Sequence, residues 1–152
     1  MMKEETHMKW TNLYSEEDVS ELMYTFESFH DACLKELWYG SDNYVDRDLA
    51  MNMGWNTCAR MLFQRQKNNP AVIELEFRSV GKLILNPSPL DYSSEILGAS
   101  MYWKNGIIHW ADEENWSEDI DSNCTWIAAR KARWRIISND CLGDRNIYLA
   151  DI

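Results

Sequence analysis

Val72 to Arg78 alternates strictly, with Ile73, Leu75 and Phe77 on one side and Glu74, Glu76 and Arg78 on the other. A period of two marks a strand with one face on a core and the other in water, the habit of antiparallel sheets. The same period recurs. Ala59, Met61 and Phe63 alternate with Arg60, Leu62 and Gln64, and Leu49, Met51, Met53 and Trp55 alternate with Ala50, Asn52 and Gly54. Those two stretches read as strands of one hairpin, turned at Asn56-Thr57, each with a buried face. Ile96–Trp103 and Ile107–Ala111 flank Lys104-Asn105-Gly106. Asn-Gly between apolar runs is a strong hairpin signal, because both residues tolerate positive φ. No helical stretch separates these strands, which argues against a parallel doubly wound sheet.

The remaining segments fill in the architecture. Ala32–Tyr39 reads as a strand and Gly40–Asp46 as a turn. Gly81 is expected to end the 73–78 strand, leaving Leu83–Leu85 as a separate short run. Thr125–Ile137 alternates, placing Trp126, Ala128, Ala132, Trp134 and Ile136 on one face with Arg130. Lys131, Arg133 and Arg135 then lie on the other face with Ile127 and Ala129. Asn146–Ile152 could add a last short strand. Ser15 is a good N-cap, and Glu16, Glu17 and Asp18 follow where helix amides are unpaired. Val19, Leu22, Met23 and Phe26 then share one helical face. The expected fold is α+β: an arm over 1–14 anchored by Trp10, Leu13 and Tyr14, a helix over 15–30, and a mainly β remainder over 31–152. About seven to eight antiparallel strands would form a curved sheet or sandwich-like roll, in one domain. At 152 residues the chain can bury a core without disulfides or metal.

Net charge is −10. A field of that sign repels a phosphate backbone and attracts basic partners, so a nucleic-acid partner is not expected. No apolar run approaches the roughly 18 residues of a membrane span, so no membrane partner is expected either. Met1–Trp10 lacks the apolar stretch of a signal peptide. Cys33, Cys58, Cys124 and Cys141 show neither C-x-x-C pairing nor zinc-finger spacing. These features suggest a reducing, cytoplasmic setting with free thiols used as small apolar groups, and no metal or cofactor is expected.

Phosphate-loop, dinucleotide, nucleophile-elbow and zinc-protease motifs are absent. Of His7, His30 and His109, the first lies in the arm. His30 sits in Phe29-His30-Asp31 at the helix-to-strand junction, where it is expected to bond a nearby carbonyl. Neighbours in an extended segment point apart, so His30 and Asp31 are not expected to form a dyad. His109 precedes Trp110 and an acidic run: Asp112, Glu113, Glu114, Glu118, Asp119 and Asp121. Hard cations want oxygen ligands, but Trp116 and the lack of a central Gly do not fit a calcium loop. The run reads first as a solvated loop and next as a docking surface for a basic partner, with Trp110 and Trp116 as exposed anchors. Arg130, Lys131, Arg133 and Arg135 near Trp126 and Trp134 could hold single-stranded nucleic acid. The expected use is a core strand whose basic side chains pair with surplus carboxylates.

Ser28-Phe29-His30-Asp31-Ala32 resembles the S-F-H-D-A motif of small bacterial polymorphic-toxin immunity proteins and their uncharacterised relatives. Val72–Val80 with Leu83–Leu85 looks like the strand pair that follows the motif there. Trp126-Ile127-Ala128-Ala129 and Ala132-Arg133-Trp134-Arg135 look like the end of such chains. The resemblance implies a non-enzymatic cytoplasmic protein that binds and blocks a cognate toxin, and it transfers no catalytic residue. Two other readings stay open. One is an enzyme using His30 or His109 with a carboxylate in a cleft. The other is a ligand module whose Trp38, Trp55, Trp103 and Trp134 line a cavity. The oligomeric state is not readable from the sequence.

Overall fold

In the computed structural model, which describes residues 9–88 and 90–143, one sheet dominates. Its elements are β1 (Thr11–Asn12), α1 (Glu16–Thr25), β2 (Ala32–Ser41), β3 (Tyr44–Val45), β4 (Met51–Asn52), β5 (Thr57–Arg65), β6 (Val72–Ile84), β7 (Ser100–Lys104), β8 (Ile107–Ala111) and β9 (Trp126–Ile136). Short 3-10 turns occupy Glu27–Phe29 and Asn139–Cys141. The strands run antiparallel in the order β2-β5-β6-β9-β8-β7, and β1 pairs with β9. The fold is α+β, one helix with a seven-stranded sheet, and β3 and β4 form a separate two-stranded hairpin.

The sheet curls. The Ile96 amide donates to the Ala32 carbonyl at 2.7 Å, and the Asp31 amide donates to Ile96 at 2.9 Å. The segment before β7 therefore returns to the start of β2. Helix α1 packs inside the curl, burying Val19 and Leu22. The core joins them to Phe26, Phe29, Phe63, Phe77, Ile108 and Trp110. Phe29 is its hub, with ring centroids 5.1 Å from Phe26, 4.9 Å from Phe63 and 5.5 Å from Trp110. The N-terminus of α1 is a reciprocal capping box. Ser15 Oγ accepts from the Asp18 amide, and the Asp18 carboxylate accepts from the Ser15 amide. Asn105 and Gly106 turn β7 into β8 with φ of 53° and 75°, both in the left-handed region Asn-Gly tolerates.

Several expectations need correction. Gly81 does not end a strand, because β6 runs through it to Ile84. Ser79 adopts φ 53°, and pairing with β9 shifts between Val80 and Lys82. The bulge absorbs an extra residue and changes which side chains face inward. On β9 the inward set is Ile127 and Ala129, then Ala132 and Trp134, rather than one face running from Trp126 to Ile136, and the change of face lies opposite the left-handed Ser79 of β6. Ile96–Ala99 is a connector, with β7 beginning at Ser100. Leu49–Trp55 is neither a partner of β5 nor buried. Tyr14 is exposed, so Leu13 anchors the arm alone with the half-buried Trp10. Cys33 and Cys58 are only half-buried, whereas Cys124 and Cys141 are buried. The strand expected at 146–152 lies outside the described residues.

The outer face of β5, β6 and β9 carries an ion-pair ladder. Glu74 has no exposed surface. It accepts from Arg60 at 2.7 Å and from Arg135 at 3.0 Å. Glu76 accepts from Arg133 at 2.9 and 3.3 Å and from Arg78 at 2.8 Å. Burial alone would raise the Glu76 carboxyl, but the Arg133 and Arg78 guanidinium groups hold it below the usual range. The Trp10 ring lies over Arg133 and Arg135, 4.1 and 4.4 Å from the guanidinium carbons. Of the basic side chains of β9, Arg133 and Arg135 are thus turned to carboxylates, as expected of a core strand, whereas Arg130 and Lys131 are exposed.

Candidate functional site

The acidic segment between β8 and β9 is a fixed loop. Its end is tied by the Asp112 carboxylate, which accepts from the Thr125 amide at 2.9 Å. Burial raises the Asp112 carboxyl, and the Thr125 amide opposes that. Its middle is pinned by Trp116, whose amide donates to Ser100 Oγ at 3.0 Å. The Trp116 ring sits 4.8 Å from Trp126 and 6.4 Å from Tyr102 on the outer face of the sheet. Ser100 Oγ donates to the Glu113 carbonyl at 2.6 Å, and Ser122 Oγ donates to the Glu113 carboxylate at 2.6 Å. From this frame Glu113, Glu114, Glu118, Asp119 and Asp121 face solvent.

Trp110 and Trp116 are not exposed anchors. Trp110 lies on β8 beside Ile108, and the inward half of that alternation puts it fully inside the core. Trp116 is 5% exposed because the loop folds back over Trp126. Trp110 thus belongs to the main core, and Trp116 supports the loop from beneath.

His109 is buried on β8, stacked on Tyr102 with ring centroids 4.8 Å apart. Its Nε2 lies 3.3 Å from Glu118 Oε1, and Lys82 Nζ lies 3.5 Å from the other oxygen of that carboxylate. An imidazole and a carboxylate do meet here, on a ring that is 7% exposed. The open cleft beside the loop, about 620 Å³, is lined by Glu95, Leu97, Asp112, Glu113 and Glu114 among others and by neither His109 nor Glu118. Among the described residues no cluster of His, Cys, Asp and Glu could hold a metal ion.

The Phe29-His30-Asp31 motif has an unusual backbone. Glu27, Ser28, Phe29 and Asp31 have φ of 48°, 54°, 64° and 59°. Left-handed non-glycine residues cost about 1–2 kcal/mol each. Complete burial of Phe29 offsets that cost, together with three anchoring bonds: Ala99 amide to Ser28 carbonyl (2.8 Å), Asp31 amide to Ile96 carbonyl (2.9 Å) and Gln66 amide to Asp31 carbonyl (3.2 Å). His30 Nδ1 is 2.8 Å from the Leu97 carbonyl, the expected junction contact. Contrary to expectation, His30 Nε2 also lies 3.3 Å from Asp31 Oδ2. The left-handed φ of Asp31 breaks the extended geometry that would have held the two side chains apart. The Leu97 carbonyl, and secondarily Asp31, raise the imidazole above its usual value. Both side chains are exposed, at 56% and 43%.

A second surface escaped the sequence reading. Residues 42–56, between β2 and β5, fold around β3 and β4 as a projecting hairpin. Asp42 accepts from the Asn56 amide at 3.0 Å and from its side chain at 3.1 Å. Asn43 Oδ1 accepts from the Gly54 amide at 2.8 Å. A side chain at Gly54 would collide with the Asp42 carboxylate. Asp46 accepts from the Ala50 and Asp48 amides and from Asn52. Those donors, led by Ala50, hold its carboxyl below the usual range. The apolar side chains point outward: Leu49 is 85% exposed, Met53 69% and Trp55 91%. Trp38 is exposed as well. Trp134 is buried in the core, so the four tryptophans imagined around a ligand do not line one cavity. Period-two alternation is the only signal this segment gives, and alternation alone does not say whether a face is covered.

Among the described residues no helix is long and apolar enough to cross a membrane. No family model matches the chain, and comparison with curated proteins and with solved structures finds none that matches.

Proposed function

We propose that the chain is a non-enzymatic, cytoplasmic interaction protein that binds a basic protein partner through its acidic loop. The inhibition of a cognate toxin implied by the Ser28–Ala32 resemblance is the form this binding takes. The observation that carries the reading is the pinned loop. Five exposed carboxylates stand on a backbone fixed by the buried Trp116, the Ser100 hydroxyl and the Asp112–Thr125 bond. Charge displayed on a preorganised backbone costs little to order on binding and speeds encounter with a positive surface. A net charge of −10 supports the same partner.

A catalytic reading draws on the His109–Glu118 contact at 3.3 Å. An imidazole only 7% exposed is poorly placed to reach a substrate, which favours binding over catalysis.

The test starts with affinity purification from the native host on the immobilised chain. The recovered partner is then titrated against wild type and a Glu113→Lys/Glu114→Lys/Glu118→Lys/Asp119→Lys variant whose fold is checked by tryptophan fluorescence. Association should slow at least about tenfold at low salt and converge with wild type at high salt. Unchanged association at every salt concentration removes the loop from the interaction.

A further inference from the structure

The geometry points to the 42–56 hairpin as the apolar anchor for a basic polypeptide, an inference that rests on the proposed basic partner and adds a second contact surface to it. Six large apolar side chains stand in solvent on one short element: Tyr44, Val45, Leu49, Met51, Met53 and Trp55. Val45 and Met51 are paired across the hairpin. Isolated exposed apolar residues need no explanation, but six large ones gathered on one short element are the mark of a docking surface. The hairpin does not hold its shape by packing those side chains. It is held from within by the Asp42, Asn43 and Asp46 side chains bonded to its own amides. The apolar groups are therefore preorganised for an external partner, and Trp with Met is a common hot-spot composition.

Charge chooses the occupant. Residues 42–56 carry a formal −2 and residues 112–121 a formal −6, together most of the net charge of −10. The two segments converge on β6. Thr57, at the root of the hairpin, bonds the Val80 carbonyl at 3.0 Å, and Lys82, two residues on, pairs with Glu118 of the acidic loop. An apolar finger flanked by carboxylates complements a segment that combines Lys or Arg with apolar side chains. Anionic lipid is repelled by the same charge, and so is a second copy. The neighbouring edge of β2 is also broken, at the Leu34/Glu36 register shift around Lys35, which discourages strand pairing between copies.

The test uses the full chain and a displayed library of random linear peptides. Selection is made on wild type, with counter-selection on Met51→Ser/Met53→Ser/Trp55→Ser, and Trp55→Ser alone serves if the triple variant does not fold. Enriched peptides should be basic and apolar, and should bind the variant about 30-fold or more weakly. Failure to enrich any hairpin-dependent peptide, or enrichment of peptides with no net positive charge, overturns the proposal. So does Trp55-dependent binding to phosphatidylcholine/phosphatidylglycerol vesicles, which assigns the finger to a membrane. A wild-type dimer that the variant loses in sedimentation velocity assigns it to a second copy and equally overturns the proposal. The charge-reversed loop variant separates the two readings. Peptides lost on the hairpin variant but kept on the loop variant support the anchor and count against the loop, and the reverse pattern counts against the anchor alone.

Discussion

Replacing Glu74 by Ala should be among the most damaging single changes to the outer face of the sheet. Glu74 is wholly buried and receives Arg60 at 2.7 Å and Arg135 at 3.0 Å. Breaking a buried ion pair from one side costs about 3–5 kcal/mol, because the opposite charge stays buried without that counter-charge. The two guanidinium groups differ in their freedom to escape. The Arg60 side chain is 21% exposed and can turn toward water, whereas that of Arg135 is 7% exposed and lies under Trp10. One buried cation rather than two sets the cost, so the low end, about 3 kcal/mol, applies. For a chain of this length that is a fall in Tm of about 10 °C. Urea unfolding followed by tryptophan fluorescence measures the free energy, and calorimetry measures Tm. Glu74→Leu combined with Arg135→Met removes both charges, and should recover most of the loss, to within about 1 kcal/mol of wild type. If the single variant loses less than about 1 kcal/mol, or the double variant loses the sum of the two singles, the ladder is not a coupled buried network and the argument fails.

Trp116→Ala should cost about 3 kcal/mol and free the acidic loop; hydrogen exchange should quicken over 112–125 while β5 and β6 stay protected, and uniform quickening would deny the loop its own support. Ser15→Ala should cost about 1 kcal/mol in urea unfolding through loss of the capping box, with Ser15→Asp close to wild type. His30 has a raised folded-state value, so its stabilisation is fully present below its ordinary value of 6.5 and is lost as pH rises through the folded value. NMR titration should show the upward shift, and His30→Asn should flatten stability against pH across that window.

How far the sequence could be read depended on what each signal reports. Ser15 with Asp18, and Asn105 with Gly106, act through local backbone chemistry, and local chemistry is fully written in neighbouring residues. Alternation over 72–78 places Ile73, Leu75 and Phe77 correctly on the core. It could not show that Glu74 and Glu76 are buried too, because arginines from β5 and β9 and the ring of Trp10 arrive from distant parts of the chain. The same blindness hid the 42–56 hairpin, whose alternation is as clean as that of a core strand but faces nothing. The face change on β9 lies opposite Ser79 of β6, whose φ is 53°, so 126–136 read alone gives no sign of it. His30 and Asp31 meet through a left-handed residue that only the surrounding packing of Phe29 enforces. The solvent-facing carboxylates of the acidic loop were legible as a cluster. That Trp110 and Trp116 support the fold instead of reaching a partner was not, since an aromatic residue reads alike in either role.

Strand β9 is the keystone of synthesis as well as of architecture. In the strand order it joins β2–β5–β6 to β8–β7, and it also receives β1, more than a hundred residues upstream. Until the ribosome has released residue 136, the chain ahead of it is a set of partial hairpins with open edges and a helix that lacks most of its cover. Such long-range closure is slow, and the waiting intermediates are sticky. A stalled or truncated product ending before Trp126 would therefore be a substrate for chaperones and proteases, not a shorter working protein.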